Sequence, residues 1–143
     1  MEEPNKSVLL VEDNDLDAER VKRAFARLGI GWPLHRARDG LEAIEMLRDT
    51  TRARRGDPIV LLDLNMPRMN GFEFLTALRA DAALTHLPVF VLTTSARDKD
   101  VIAAHRHHVA GYLTKPPTMG ETLELLETTS RFWKLCRLPR SAA

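Results

Sequence analysis

Short apolar segments alternate with longer amphipathic segments along the whole chain. The short segments end at polar residues, and most are apolar at every position, which is typical of strands buried on both faces of a parallel sheet. Five strands are predicted, the second of them weak, over residues 7–11, 33–37, 59–62, 88–92 and 111–114.

The segments between these strands have the spacing of amphipathic helices. After the first strand, apolar residues recur at intervals of three and four and give a helix one apolar face. These residues are Ala18, Val21, Phe25 and Leu28. Asn14 or Asp15 can cap this helix. Further helices are predicted to begin at 39–40, 70–71, 98 and near 118, and the one that begins at 98 is predicted to end at 108. A polar, basic loop is predicted over 50–57. Five strands alternating with five helices indicate an α/β protein with a doubly wound, (βα)5 parallel sheet.

Composition limits the class of protein. The chain has 143 residues, which suits one domain, and 21 Lys and Arg against 20 Asp and Glu give a formal net charge of +1. This even balance supplies no general field for holding nucleic acid or an acidic membrane. The single cysteine, Cys136, excludes an internal disulfide and a cysteine-based zinc site.

The sequence carries no signal for export or membrane insertion. No apolar run approaches the roughly 20 residues that span a bilayer, and the polar segment 1–6 is no secretory signal. A cytoplasmic location is therefore expected. The length leaves no room for a helix-turn-helix segment or another effector domain, so DNA binding is not expected.

Polar and charged residues collect at the carboxyl ends of the predicted strands, where ligands bind in open parallel sheets. Glu12 and Asp13 follow the first strand, and Asp63 follows the third. Thr93 follows the fourth strand, and Lys115 follows the fifth. Any one of these residues alone can be a helix cap or a solvated side chain, but all five at successive strand ends indicate a site.

The three carboxylates at this edge repel one another, and a hard divalent cation resolves the conflict. An all-oxygen ligand set with room for water suits Mg²⁺. Lys115 precedes Pro116, and a cis bond between them can aim the lysine into the acidic pocket. The alternative is that Pro116 only ends the strand.

Four sequence blocks resemble the signature blocks of two-component response regulator receiver domains. They are VLLVEDN at 8–14, VLLDLNMPRMNG at 60–71, VLTTS at 91–95 and GYLTKP at 111–116. The resemblance covers residues 7–130, which leaves a tail at 1–6 and a helical extension at 131–143. It implies a flavodoxin-like, CheY-like fold with the strand order 2-1-3-4-5.

The resemblance assigns a role to each residue at the strand ends. Asp63 would accept a phosphoryl group from the phosphohistidine of a sensor histidine kinase, which is nucleophilic catalysis by a carboxylate. Mg²⁺ would be held directly by Asp13 and Asp63. Glu12 would act through a metal-bound water, and the backbone carbonyl of Asn65 would be a further ligand.

The resemblance also implies a switch. Thr93 would hydrogen-bond the phosphoryl group, and Lys115 would pair with it. Tyr112 occupies the position of the family's aromatic switch residue, although it can also be an ordinary half-buried strand aromatic. Asn65 and Ser95 lie where the family controls the access of water to the acyl phosphate. Since both are short and neutral, we expect a short-lived phosphoryl group.

Three positions depart from the family's usual pattern. Glu12 stands where Asp is more frequent, and its longer side chain can still hold a water. Thr94 replaces a small residue that is often Ala. Pro117 stands where Phe is frequent, so partners that read that phenylalanine should bind poorly.

The extension at 131–143 is too apolar for a free tail, so it must pack on its own domain or on a second copy. Its apolar residues are Phe132, Trp133, Leu135 and Leu138. Together with LDLNMP, VLTTS and a Lys-Pro pair without Phe, this ending resembles stand-alone regulators that partner phytochrome-type photoreceptor kinases. The resemblance implies such a kinase as partner and a homodimer paired through this end.

Three functions fit these residues. The first is a phosphorylation switch that signals by binding other proteins and catalyses only its own phosphorylation and dephosphorylation. The second is a phosphoryl shuttle to a histidine phosphotransfer protein. The third is a Mg²⁺-dependent phosphohydrolase, which needs a second Asp two residues after the nucleophile. Asn65 at that position weighs against it.

Overall fold

A computed structural model of the chain describes residues 6–49 and 58–139. Within them, five strands form one parallel sheet: β1 (Val8–Val11), β2 (Leu34–Ala37), β3 (Ile59–Leu62), β4 (Val89–Thr93) and β5 (Gly111–Thr114). Nearly all of the predicted tail (1–5), the predicted loop at 50–57 and the end of the extension (140–143) lie outside the described residues.

The strands lie in the order β2-β1-β3-β4-β5, which confirms the predicted fold. Their register brings the carboxyl ends of the central strands together. Val11, the last residue of β1, pairs with Leu62, the last residue of β3, and Leu62 pairs with Val91. The residues that follow β1 and β3 therefore leave the sheet side by side.

Five helices in the described part of the chain cover the two faces of the sheet: α1 (Asp15–Arg27), α2 (Gly40–Arg48), α3 (Gly71–Ala80), α4 (Asp98–Arg106) and α5 (Met119–Leu135). Alternate residues of the central strands feed two separate cores, which explains why those strands are apolar at every position. Leu10 belongs to the core beneath α1 and α5, and Val11 belongs to the core beneath α2 and α3. None of these helices is long and apolar enough to cross a membrane.

Three local predictions are corrected. Thr93 is the last residue of β4, where it pairs with Thr114, rather than the first residue after the strand. Helix α4 ends at Arg106, two residues earlier than predicted, because the chain turns there and His108 takes a positive φ of 60°. No peptide bond in the described residues is cis, so of the two alternatives for Lys115-Pro116 the cis bond is wrong and the one in which Pro116 only ends the strand stands.

Helix α5 passes from the predicted domain into the predicted extension without a break and ends at Leu135. Trp133 is fully buried and meets Phe90 of β4 edge to face, with ring centroids 5.4 Å apart. Leu138 packs on the same core. Phe132 and Leu135 point outward, with 55% and 85% of their surface exposed. The apolar ending is thus divided between the domain's own core and its surface.

Trp133→Ala is expected to lower the free energy of unfolding by about 3–5 kcal/mol, because it removes a large side chain from a closed core. Phe132→Ala, its exposed neighbour, should cost less than about 1 kcal/mol. Urea denaturation of both variants at low protein concentration measures the difference. Equal losses would show that Trp133 is not part of the core in solution.

Candidate functional site

Asp63 is the first residue after β3, and its side chain is buried. Its backbone N–H donates to the carbonyl of Val11 at 3.0 Å, which continues the pairing of β1 and β3 to the edge of the sheet. The carboxylate oxygen Oδ1 accepts from the Thr93 hydroxyl at 2.9 Å and from the backbone N–H of Asn65 at 3.3 Å. These contacts fix the direction of the Asp63 carboxylate.

The loop after Asp63 is held against the start of α3. A Cβ on Gly71 would lie 2.6 Å from the Cα of Leu64 and 2.9 Å from the carbonyl oxygen of Asp63, so only glycine permits this approach. The helix is then fixed by a capping box, in which Asn70 and Glu73 each accept from the other's backbone N–H at 2.9 Å. Asn70 and Gly71 therefore set the position of the loop that follows the buried carboxylate of Asp63.

Glu12, Asp13 and Asp63 bring carboxylate oxygens within 4.8 Å of one another. Glu12 is buried, and burial together with the charge of Asp63 raises the pKa of its carboxyl to about 7. Asp13 is more exposed and shares the lining of an open cavity of about 500 Å³ with Asn65. An all-oxygen set with one open side fits a hard divalent cation and its waters.

Lys115 is the cation of this cluster. Its ammonium lies 2.7 Å from Glu12 Oε1, 2.8 Å from Asp17 Oδ2 and 3.3 Å from Asp63 Oδ2. Burial lowers the pKa of Lys115, but the hydrogen bonds to Asp17 and Glu12 outweigh burial and hold it above its ordinary value. The lysine is therefore a fixed positive charge beside two buried carboxylates.

Asp17 is the member of the cluster that the strand-end pattern does not reveal, because it lies in the first turn of α1. Asn14 caps this helix by accepting from the backbone N–H of Asp17 at 2.9 Å, which leaves the Asp17 side chain free for Lys115. A signal does exist in the sequence. Asp17 stands four residues before Val21, on a row of positions that carries the apolar face of α1.

Tyr112 and Ser95 are joined at the loop that follows β4. The Tyr112 hydroxyl donates to the carbonyl oxygen of Ser95 at 2.9 Å, and the Ser95 hydroxyl donates to Asp100 Oδ2 at 2.6 Å. The bond from Ser95 lowers the pKa of Asp100. Since Thr93 is two residues before Ser95, this network connects the hydroxyl that touches Asp63 to the aromatic residue of β5.

A second pair of charges holds the β3–α3 loop to α2. Arg68, in the left-handed conformation with φ of 62°, donates to the buried Asp39 from Nε at 2.7 Å and also from Nη2. Asp39 is at the same time the cap of α2, accepting from the backbone N–H of Glu42 at 3.0 Å. Burial raises the pKa of Asp39, but the bonds from Glu42 and Arg68 outweigh it and leave the pKa below its usual value.

The structure brings most of the predicted site residues to one edge of the sheet, but not the residues of the extension. Phe132, Trp133, Leu135 and Leu138 lie on α5 and the segment after it, apart from the carboxylate cluster. Lys115, which follows β5, contacts Glu12 after β1 and Asp63 after β3, as the strand-end pattern predicts.

Comparison with known proteins gives one family. The model of the response regulator receiver domain matches residues 8–127. A probable methanogenesis regulatory protein of Methanothrix harundinacea, FilR2, is 39% identical over 127 residues, which cover 88% of this chain and 82% of that protein.

Solved structures of response regulators have the same fold. The phosphorylated cyanobacterial phytochrome response regulator RcpA matches with a TM-score of 0.83 and 33% identity over 94% of this chain and 98% of that one. The Mn²⁺-bound form of the response regulator Rcp1 matches with a TM-score of 0.81 and 34% identity, over 95% and 99% of the two chains.

Asp39→Asn keeps the cap of α2 but removes the charge that pairs with Arg68, so it should lower the free energy of unfolding by about 1 kcal/mol at neutral pH. The pKa of Asp39 is lowered by folding, so its contribution is present above the unfolded pKa and is lost as the pH falls through the folded value. Wild type and variant should therefore converge at low pH in urea titrations. A difference that persists at low pH would contradict the ion pair as its source.

Proposed function

The chain belongs to the response regulator receiver domain family of two-component systems, and from that premise we propose that it accepts a phosphoryl group on Asp63. One observation carries the proposal. Asp63 is the residue at which the carboxylate cluster, the Thr93 hydroxyl and the Lys115 ammonium meet. A nucleophile, a metal-binding edge and a cation for the transferred group are thus assembled around one buried carboxylate.

In the proposed transfer, an oxygen of Asp63 forms a bond to phosphorus while the phosphorus–nitrogen bond of a kinase's phosphohistidine breaks. The electron pair of the broken bond returns to the imidazole. The Thr93 hydroxyl, which donates to Asp63 Oδ1, turns to an oxygen of the phosphoryl group. Lys115 places positive charge beside the same group, so both residues stabilise charge where it gathers.

Receiver domains bind a divalent metal, and the donor set of this chain fits one. The proposed ion is Mg²⁺, held by Asp13, Asp63 and the backbone carbonyl of Asn65, with Glu12 acting through a water. The bound ion supplies charge that offsets the carboxylates and the incoming phosphoryl group. The buried Glu12 beside Asp63 supports this proposal, because two neighbouring buried carboxylates need cationic partners.

Receiver domains of phytochrome response regulators interact with histidine kinases, and the proposed partner is a kinase of the phytochrome type. The receiver family is a family of signalling switches. The proposed catalysis is limited to the chain's own phosphorylation and dephosphorylation, with a phosphoryl lifetime shortened by the neutral Asn65 and Ser95. A shuttle to a histidine phosphotransfer protein is the second candidate. A phosphohydrolase is disfavoured by Asn65 at the position of its second acid.

The proposed output is a change in the surface that binds other proteins. When Thr93 turns toward the phosphoryl group, the loop that carries Ser95 moves with it. The hydrogen bond from the Tyr112 hydroxyl to the Ser95 carbonyl then breaks. Phosphorylation of Asp63 thereby changes the outer surface formed by β5 and α4.

The proposed oligomer is a homodimer paired through α5. Phe132 and Leu135 support it, because they are three residues apart on one side of the helix and are the exposed apolar members of the ending. No nucleic acid partner is proposed, since the formal net charge is +1.

Incubation with a phytochrome-type histidine kinase, labelled ATP and Mg²⁺ should label the wild type and leave Asp63→Asn unlabelled, because an amide does not act as the nucleophile. The exposed Asp98→Asn is a control that should be labelled like the wild type. Added chelator should stop the transfer. Label that survives Asp63→Asn would overturn the assignment, and label that passes on to an added histidine phosphotransfer protein would favour the shuttle over the switch.

Phe132→Asp and Leu135→Asp are expected to weaken dimerisation by at least about tenfold, since each places a charge on the apolar side of α5. Leu16→Asp, an equally polar change at a residue of α1 that is 79% exposed, is the matched control and should leave the dimer intact. Sedimentation velocity over a range of concentrations measures the association. Point changes are preferable to deletion of residues 132–143, because deletion also removes the buried Trp133. A wild type that stays monomeric at high concentration would contradict the dimer.

A further inference from the structure

We propose that Asp17 is a positioning residue that holds the Lys115 ammonium in the unphosphorylated protein and competes for it with the phosphoryl group. This inference rests on the proposed phosphorylation of Asp63. Asp17 is not one of the three grouped carboxylates Glu12, Asp13 and Asp63, because it lies in the first turn of α1. Its contact with Lys115 therefore lets α1 influence the stability of the phosphorylated state.

Three carboxylates share the N–H donors of the Lys115 ammonium. An ammonium has three N–H groups, and each has a carboxylate within reach: Glu12 at 2.7 Å, Asp17 at 2.8 Å and Asp63 at 3.3 Å. The longest of the three contacts is the one to the proposed nucleophile. The resting lysine is therefore held mainly by Glu12 and Asp17, and its donors are fully used before any phosphoryl group arrives.

A phosphoryl group on Asp63 adds oxygens that need the same cation. Lys115 can turn a donor to them only by giving up one of its present partners. Glu12 lies deep in the cluster beside Asp63, with 3% of its side chain exposed. Asp17 has 31% of its side chain exposed, so water can take over its carboxylate when the lysine leaves. Asp17 is thus the partner that Lys115 gives up, and the free energy of that lost contact opposes the phosphorylated state.

The side chain of Asp17 can be changed without disturbing the fold around it. The cap of α1 uses the backbone N–H of Asp17 and the side chain of Asn14, so an asparagine at position 17 keeps the same shape and the same cap. Asp15, two residues earlier in the same turn, pairs with Arg36 and Arg38 instead of Lys115. Asp15→Asn therefore removes an equal charge from the same helix end and is the matched control.

The test uses beryllofluoride, which adds to an aspartate as a phosphoryl analogue, with saturating Mg²⁺ and the full-length protein. Its affinity is measured by fluorine NMR for the wild type, Asp17→Asn, Asp15→Asn, Lys115→Met and the Asp17→Asn, Lys115→Met double variant. Asp17→Asn is expected to bind beryllofluoride about three- to tenfold more tightly than the wild type. Asp15→Asn should stay within about twofold of the wild type, and Asp17→Asn should have no effect once Lys115 is replaced.

A merely structural role for Asp17 would lower the free energy of unfolding and would not tighten binding, so urea midpoints of the same variants separate the two roles. The inference is overturned if Asp17→Asn binds no more tightly than the wild type. It is also overturned if Asp15→Asn tightens binding equally, or if the effect persists without Lys115. A wild type that takes up no beryllofluoride at Asp63 would overturn the proposed function itself, and the role of Asp17 with it.

Discussion

The structure depends on one constraint, which is the gathering of negative charge at the carboxyl edge of the sheet. Glu12 and Asp63 are buried there within reach of Asp13, and a buried carboxylate without a partner is costly. The Lys115 ammonium partly neutralises that charge, through contacts at 2.7 Å to Glu12 and 3.3 Å to Asp63. Burial still raises the pKa of Glu12 to about 7, so Lys115 alone does not offset the negative charge at this edge. The site therefore favours further cationic charge, which is the physical basis of the proposed metal site.

The rest of the fold meets this constraint by fixing the position of each group. The register of β1 and β3 makes Glu12 and Asp63 neighbours, and the N–H of Asp63 extends that register by one bond. Gly71 allows α3 to start against the loop after Asp63, and Arg68 fastens that loop to Asp39. These contacts keep the carboxylate in one place, and the proposed switch needs only the hydrogen bonds of Thr93 and Lys115 around it to change. A rigid nucleophile among exchangeable hydrogen bonds suits a switch.

Sequence pattern predicted the parts of this site that follow from periodicity. Continuous apolar runs identified the central strands, and their parallel arrangement put Asp63 and Lys115 at one edge. The pattern could not predict contacts made by the reach of side chains between distant elements. Asp17 meets Lys115 across 98 residues of sequence, and Trp133 enters the core because α5 continues to Leu135, beyond the predicted end of the domain at residue 130.

Direct mapping of the modified residue tests the role of Asp63 most directly. Protein treated with acetyl phosphate and Mg²⁺ is reduced with borohydride, which converts an aspartyl phosphate to an alcohol, and its peptides are then sequenced by mass spectrometry. A reduced side chain is expected at position 63, dependent on Mg²⁺, and none at Glu12, Asp13 or Asp17. Reduction at one of those carboxylates instead, or an unmodified Asp63 under conditions that phosphorylate another residue, would contradict it.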